Sequence, residues 1–505
     1  MAIGQDARRV QAPGLIHERF FAIARERPSA IALRTSSREL TFAELAAGAC
    51  ELAAALDASG VPLTGRVVIS ACDHGVVAAA LLAVLARGGV VVPLEDTAGA
   101  ERLARMLASV RPAAYIVDGE RAAHLPRDGA VRIVRDEVVG TGPAIVGATD
   151  PDAPCSIYFT SGSTGAPRAI VGRAIGIDHH VAWEIEALAL DATTRGAIVH
   201  TIGYDAYLPD LLVPICAGGT AFAPPRAMIG EPELFIDWLA RAEISLLHCT
   251  PSRWRELVAR DAAARLGALR HVVLAGEVVR PADVAATLAR FDGVQLWNLY
   301  GPTEATLVKL HHRITAADAE RASVPIGRPM PGVTVHLLDD HGAPCAGGEV
   351  GQIAIQSRFA SHGYLDEPAL TAERFLPVPE RAGEVMYLTG DLGMRDASGA
   401  LLFCGRRDRQ IKLHGARVDL DEIEAILSRC DGVVEAAAVV DADHTAVFAF
   451  VSTDGTAMAR IRQQAAASLS AAMRVARLDH VRTFPRTASG KIDRVALART
   501  LEETV

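Results

Sequence analysis

Short β-branched runs alternate along most of this chain with Ala-rich segments of helical period, and that alternation limits the fold more than any other feature. Val67–Ala71 leads into Gly75–Ala86, Ser245–Cys249 into Pro251–Arg260, and Val272–Ala275 into Pro281–Arg290, with further apolar runs at Ala113–Val117 and Ile198–Thr201. Strand, helix, strand at this spacing implies right-handed crossovers and parallel sheets covered by helices. From about Val324 the pattern changes to short strands and turns (Thr334–Leu338, Gln352–Gln356, Leu401–Cys404), as in a small antiparallel sheet or barrel. After Gly405 comes a compact tail. It holds a charged hairpin (Gln410–Val418), a helix opened by Asp419 and Asp421, an apolar strand (Ala446–Val451) and an Ala-rich helix near Met458–Ala472. The expected class is α/β: a large N-terminal core of two helix-covered sheets with a small barrel-like subdomain, then a small mobile α+β C-terminal domain. Arg406–Arg409, four charged residues in a row, make a poor core segment and set the expected boundary between residues 1–406 and 407–505.

Composition removes several classes. At 505 residues the chain is too long for one core, and with half its residues apolar it can bury large sheets. A net charge of −9 without a basic block gives nucleic-acid binding no support. The eight cysteines form no CxxC pair, which fits a reducing cytosol rather than a zinc ribbon or disulfide scaffold. No signal peptide is visible after Asp6, Arg8 and Arg9, and the apolar stretch Val76–Val92 is broken by Arg87 and glycines. It reads as a buried helix running into a strand, not a membrane span.

The segment Tyr158–Arg168, YFTSGSTGAPR, carries the first chemistry. So bare a backbone folds tightly around an anion, with main-chain N–H groups and the Ser161, Ser163 and Thr164 hydroxyls as donors and Arg168 as counter-charge. A Gly/Ser linker would lack the apolar strands on either side. Only two residues separate Gly162 from Gly165 and no Lys-Ser/Thr follows, so the Walker pattern is absent.

Around this loop, further motifs follow in order: LTFAEL at Leu40–Leu45, ARGGVVVPLE at Ala86–Glu95, YDAY at Tyr204–Tyr207 and NLYGPTEAT at Asn298–Thr306. Then come GEVGQIAI…HGYL from Gly348 to Leu365, YLTGDL at Tyr387–Leu392, GRRDRQIKLHGARVDLDEIE at Gly405–Glu424 and PRTASGKIDR at Pro485–Arg494. In these the chain resembles the adenylate-forming superfamily of acyl- and aryl-CoA synthetases, nonribosomal peptide synthetase adenylation domains and luciferase, and most of all the amino-acid-activating domains.

The resemblance implies an ATP-dependent, AMP-forming ligase that makes an aminoacyl-AMP with Mg²⁺. Thr160, Ser161, Gly162, Ser163, Thr164 and Gly165 would wrap the β- and γ-phosphates. Arg168 followed by Ala169 stands where the family has Lys followed by Gly, and keeps the charge. Tyr300 would stack on adenine beside Asn298 and Gly301, Thr303 would meet the α-phosphate, and Glu304 would hold Mg²⁺. Asp391 would accept the ribose hydroxyls, with Arg406 beside it; Leu388 replaces a usual Arg. Lys491, in SGKIDR, corresponds to the mobile catalytic lysine that bridges substrate carboxylate and phosphate. Asp408 corresponds to the hinge about which the tail turns between adenylation and thioester formation, which would bring Lys412 and Gly415 to the active site.

Asp205 separates amino-acid activators from relatives that take plain acids, since a buried carboxylate there needs a cation against it, here the substrate ammonium. A helix N-cap is the other reading. With Tyr204 beside it, the pocket positions carry over to Asp205, Ala206, Pro209, His248, Val273, Ala275, Leu299, Leu307, Val308 and Lys491. Mostly apolar, they favour a small or medium neutral amino acid of alanine, serine, proline or valine size. His248 beside Leu299 is similar to serine-type pockets, yet Val308 lacks the polar partner, and His248 reads equally as a core histidine. No carrier domain follows Lys491 before Val505, and the family's last-helix motif is degraded to LSAAMRVARL (Leu469–Leu478). The expected partner is therefore the phosphopantetheine thiol of a separate peptidyl or acyl carrier protein. An acid–CoA ligase, or a silent scaffold paralogue, are the rival functions.

Overall fold

The computed structural model describes residues 14–502 apart from 96–99, 123–124, 126–128, 136–149, 161–166, 261–264, 414, 442–444, 471–472 and 487–491. Two large sheets form the bulk of the molecule. One is six-stranded, in the order Val131–Val134, Ala114–Val117, Arg66–Ser70, Val90–Pro93, Pro154–Thr160, Arg168–Arg173, parallel except for the closing hairpin. The other is nine-stranded, and its central strands Arg195–Ala197, Leu246–Cys249, His271–Ala275 and Gln295–Tyr300 are parallel.

A shared apolar layer lies between them. Helices Phe42–Ala58, His74–Ala86, Ala174–Ala187 and Tyr207–Cys216 give buried residues to one cluster that also takes Val67 and Ile116 from the first sheet and Val273 and Leu299 from the second. His74–Ala86 is buried from Gly75 to Ala86, as an all-apolar helix must be. Asp73 caps it, accepting from the Val76 N–H at 2.9 Å. In Phe42–Ala58 the LTFAEL motif is a capping box: Thr41 Oγ1 accepts from Glu44 N at 3.2 Å, and Glu44 Oε2 from Thr41 N at 2.8 Å.

A five-stranded antiparallel sheet follows, from Val333–Leu338 to Leu401–Arg406. Beyond it the hairpin Gln410–Leu413/Ala416–Asp419, the helix Leu420–Leu427 and the three strands Val433–Val440, Val447–Thr453 and Arg477–His480 build their own core around Ile423, Val451 and Ile461. Asp419 accepts from the Asp421 N–H at 2.9 Å, so the helix opens where the sequence reading put it. Two expectations shift. The strand sought at Ile198–Thr201 is Arg195–Ala197, because the Val199 and His200 N–H groups bond to Asp210 Oδ2 instead of a sheet partner. The late helix ends at Ser468 rather than Ala472. Among the described residues no helix is long and apolar enough to cross a membrane.

Candidate active site

The site lies where the two large sheets, the turn after Gln295–Tyr300 and the C-terminal hairpin converge. Glu304 sits in the 3₁₀ turn Thr303–Ala305 with 1% of its surface exposed. Its Oε1 accepts from Tyr364 Oη at 3.2 Å and from Arg417 Nη1 at 2.9 Å, while Oε2 is buried with no hydrogen-bond partner. Burial pushes this carboxyl up, and the Arg417 guanidinium more than offsets it, leaving Glu304 below the usual range. An ionised carboxylate with a spare buried oxygen is the hard donor that Mg²⁺ takes beside phosphate oxygens, so the residue fits that ion.

Asp391, in the strand Val385–Arg395, has both oxygens engaged, one by the Tyr300 hydroxyl and the other by Arg406 Nη1. Arg406 also donates from Nε to Asp408 Oδ1 at 2.6 Å and from Nη2 to Gln410 Oε1 at 3.0 Å. The expected ribose carboxylate, aromatic, arginine and hinge residue thus form one connected group. Asn298 is buried and donates its amide to Pro325 O at 2.8 Å, which ties the strand Gln295–Tyr300 to the loop at Pro325. Gly301 has no room for a side chain: a Cβ would come within 2.5 Å of Val308 Cα. Thr160 pairs with Arg168 at the mouth of the hairpin. Ser161, Gly162, Ser163, Thr164, Gly165 and Lys491 lie outside the described residues.

Several of the expected pocket positions share one apolar layer. Val273, Leu299 and Leu307 are buried in the shared core with Ala275 and Val308 packed against them, and Ala275 pairs with Leu299 across neighbouring strands. Asp205 and Ala206 precede the helix Tyr207–Cys216, which buries Pro209. The N-cap of that helix is Ala206, which makes no side-chain cap, and Asp205 stands one residue before it. Burial raises the Asp205 carboxyl, and a hydrogen bond from Thr303 and the charge of Lys412 only partly oppose it. Tyr204, by contrast, keeps 40% exposure at the surface.

His248 is a clamp. Its Nε2 lies 2.5 Å from Glu184 Oε1 and its Nδ1 3.2 Å from Asp210 Oδ1. With a carboxylate at each nitrogen the ring is held as imidazolium: burial would lower it, yet Glu184 and Asp210 together push it up to about 10. Glu184 is raised by burial and pulled down further by His248, to about 2. His180 Nε2 stands 3.0 Å from Glu184 Oε2, and His200 Nδ1 3.0 Å from Asp210 Oδ2. Both His248 nitrogens face carboxylates, Nε2 hydrogen-bonded to Glu184 and Nδ1 opposite Asp210 Oδ1, which has no hydrogen-bond partner.

The wall at Thr306 and Leu307 has an unusual backbone, with φ of 59° and 62°. Two successive non-glycine residues in that region carry strain. The fully buried Lys309 holds them, its Nζ donating to Thr306 O at 2.5 Å and Val308 O at 3.2 Å. Burial brings its ammonium down to about 7, with Asp205 acting the other way. Sequence reasoning passed over Glu184, Asp210, Lys309 and Arg417. Only Arg417 stood within a quoted motif, and nothing there showed that it would reach Glu304.

The C-terminal unit is seated on this site by three ties. Beyond the Arg417–Glu304 pair, the Gly415 N–H donates to Glu277 Oε1 at 3.1 Å, and Arg102 Nη1 meets the buried Glu422 Oε1 at 2.8 Å. Gly415 has φ of +81°, and a Cβ there would come within 2.6 Å of Thr250 Cγ2, so only glycine lets the hairpin tip approach. Lys412, on the same hairpin, is lowered by burial, while the Asp391 and Asp205 charges oppose that.

Comparison with known proteins agrees with this arrangement. The profile described as "AMP-binding enzyme" matches residues 20–365, and "AMP-binding enzyme C-terminal domain" matches residues 422–491. Phenyloxazoline synthase MbtB of Mycobacterium tuberculosis is 32% identical over 97% of this chain, which spans 35% of that protein's length. Novobiocin biosynthesis protein H of Streptomyces niveus is 34% identical over 95% of this chain and 82% of its own. The solved structure of holo-PA1221, an NRPS protein containing adenylation and PCP domains bound to a vinylsulfonamide inhibitor, superposes with a TM-score of 0.84 at 25% identity, over 96% of this chain and 84% of that one. The chain belongs to the AMP-binding enzyme family, within the adenylate-forming superfamily and close to nonribosomal peptide synthetase adenylation domains.

Proposed function

We propose that this protein activates a small neutral amino acid with ATP as the aminoacyl-AMP and then passes the aminoacyl group to the phosphopantetheine thiol of a carrier protein. The observation that carries this is Asp205: a half-buried carboxyl, raised by burial, beside an apolar pocket and near the Glu304 and Thr303 turn. A carboxylate so placed has its cost offset when an ammonium ion joins it.

In the first step a substrate carboxylate oxygen attacks the α-phosphorus and the bond to the pyrophosphate oxygen breaks. Asp205 fixes the amine, Asp391 with Tyr300 and Arg406 receives the ribose and adenine, and Glu304 with phosphate oxygens would hold Mg²⁺, whose charge offsets that of the phosphates. Thr303 would contact the α-phosphate, and the loop from Thr160 to Arg168 the outer phosphates. Lys491 would balance charge as the two anions meet. In the second step a thiol displaces AMP from the acyl carbon. The seating of Lys412, Gly415 and Arg417 against the core supports a lid turned for that step, with Asp408 as its pivot between residues 1–406 and 407–505. With both His248 nitrogens facing carboxylates, the substrate side chain meets Val273, Ala275, Leu299, Leu307 and Val308 as an apolar surface.

Pyrophosphate exchange measured across proteinogenic and common non-proteinogenic amino acids tests this reading. Exchange with one or a few small neutral amino acids is expected. Exchange driven equally by des-amino acids, or AMP release that needs free CoA, would replace it with an acid–CoA ligase.

A further inference from the structure

A cleft of about 240 Å³, its open mouth included, lies between the hairpin Pro154–Thr160/Arg168–Arg173, the start of the helix Tyr207–Cys216 and the Thr303–Leu307 turn. Asp205 lines it, and so do Ser156, Tyr158, Thr303 and Thr306. Two of these side chains are anomalous. Tyr158 has 4% and Thr306 5% of its surface exposed, yet the Tyr158 hydroxyl and Thr306 Oγ1 have no hydrogen-bond partner. A buried hydroxyl left unmatched costs on the order of 1–3 kcal/mol, and native folds seldom leave two at one place. The Tyr158 hydroxyl is also near enough to Asp205 that, after burial itself, the carboxylate is what most raises its ionisation.

We propose that Tyr158 and Thr306 supply, with Asp205, a three-acceptor seat for the ammonium of the substrate, so that the site selects primary amines over secondary ones. The inference rests on the amino-acid reading above. Its chemistry is a matter of counting: R–NH₃⁺ has three N–H donors, and the cleft offers a carboxylate and two hydroxyl oxygens. An anion would be repelled by Asp205, whereas a cation is drawn to it, and the two hydroxyls can turn their oxygens toward its N–H groups. A secondary ammonium has two N–H bonds and would leave one hydroxyl buried and unmatched, which removes proline from the candidate substrates. The strained Thr306 backbone, held by Lys309, is what places the third acceptor.

The test compares wild type, Tyr158→Phe and Thr306→Val, each with the best amino acid and with its N-methyl analogue. Pyrophosphate exchange and thermal melting with and without amino acid are the readouts. Tyr158→Phe should raise the KM for the amino acid about 10- to 100-fold, the worth of one hydrogen bond to a charged group, while the KM for ATP moves little. The preference for the primary amine should shrink in both variants. Removing an unmatched buried hydroxyl should leave the unliganded Tyr158→Phe protein melting no lower than wild type, with less stabilisation on adding amino acid. An unchanged amino-acid KM and preference in both variants overturns the seat, as does a lower melting temperature of unliganded Tyr158→Phe, which would mean the fold itself uses that hydroxyl. Wild type that exchanges with des-amino acids as well as with amino acids fails at the earlier reading and takes this one with it.

Discussion

On the proposed reading Asp205 meets the substrate ammonium, and that makes its removal informative. Asp205→Ala should raise the amino-acid KM by roughly two to four decades, the scale of 3–5 kcal/mol for a buried charge that loses its partner, and should affect ATP far less. Steady-state pyrophosphate release with an amino acid and with its des-amino analogue checks both. Because burial raises this carboxyl, it starts to protonate above the ordinary carboxylate range as pH falls. The neutral form cannot pair with ammonium, so amino-acid KM should climb on the acid side well before free carboxylates titrate. At His248 the sign is opposite. Its folded value of about 10 lies above the free value of 6.5, so its stabilising share is complete below 6.5 and is lost as pH rises toward 10. Glu184, at about 2 against 4.5, contributes in full above 4.5 and loses its share as pH falls. Glu184→Gln should cost on the order of 3–5 kcal/mol near neutrality and should flatten the alkaline decline; urea midpoints at mildly acid and mildly alkaline pH would show it.

Among the elements, the hairpin Gln410–Leu413/Ala416–Asp419 is the piece whose position would, on the proposed reading, decide which chemistry the site performs. Gly415→Ala would set a methyl against Thr250 and lift the tip. Aminoacyl-AMP should still form while carrier loading falls about tenfold or more, read as pyrophosphate exchange against acylated carrier protein; equal loss of both would place the hairpin elsewhere in the cycle. Asp408→Pro should divide the half-reactions likewise, since Pro fixes φ and removes an N–H at the pivot. Much of this was legible beforehand because periodicity and motif spacing are local. The helix over His74–Ala86, the capping box at Thr41 and the helix opening at Asp419 follow from neighbours within a turn. The pairing of Glu184 with His248 spans 64 residues and that of Arg417 with Glu304 spans 113, and no local pattern encodes either. The strand misplaced at Ile198–Thr201 has a nearer cause: a carboxylate of the following helix, Asp210, took the Val199 and His200 N–H groups that a strand would have used.

For the molecule as a whole, the pairing of Arg417 with Glu304 couples the two units to the nucleotide. In this lid position a guanidinium on Oε1 offsets the charge of the carboxylate suited to a divalent ion and leaves only Oε2 for that ion. By thermodynamic reciprocity, the factor by which the seated hairpin weakens metal–nucleotide binding is the factor by which the metal–nucleotide weakens the hairpin's seat. Arg417→Ala should therefore bind Mg²⁺·ATP more tightly by calorimetry, and in wild type Mg²⁺·ATP should hasten protease cleavage around residues 406–410. Slower cleavage would show that the nucleotide favours the seated lid. On the proposed reading the arrangement would act as an interlock on turnover: a fresh nucleotide would settle more readily once the hairpin that served the previous acyl transfer had withdrawn, so successive cycles would tend not to overlap in one cleft.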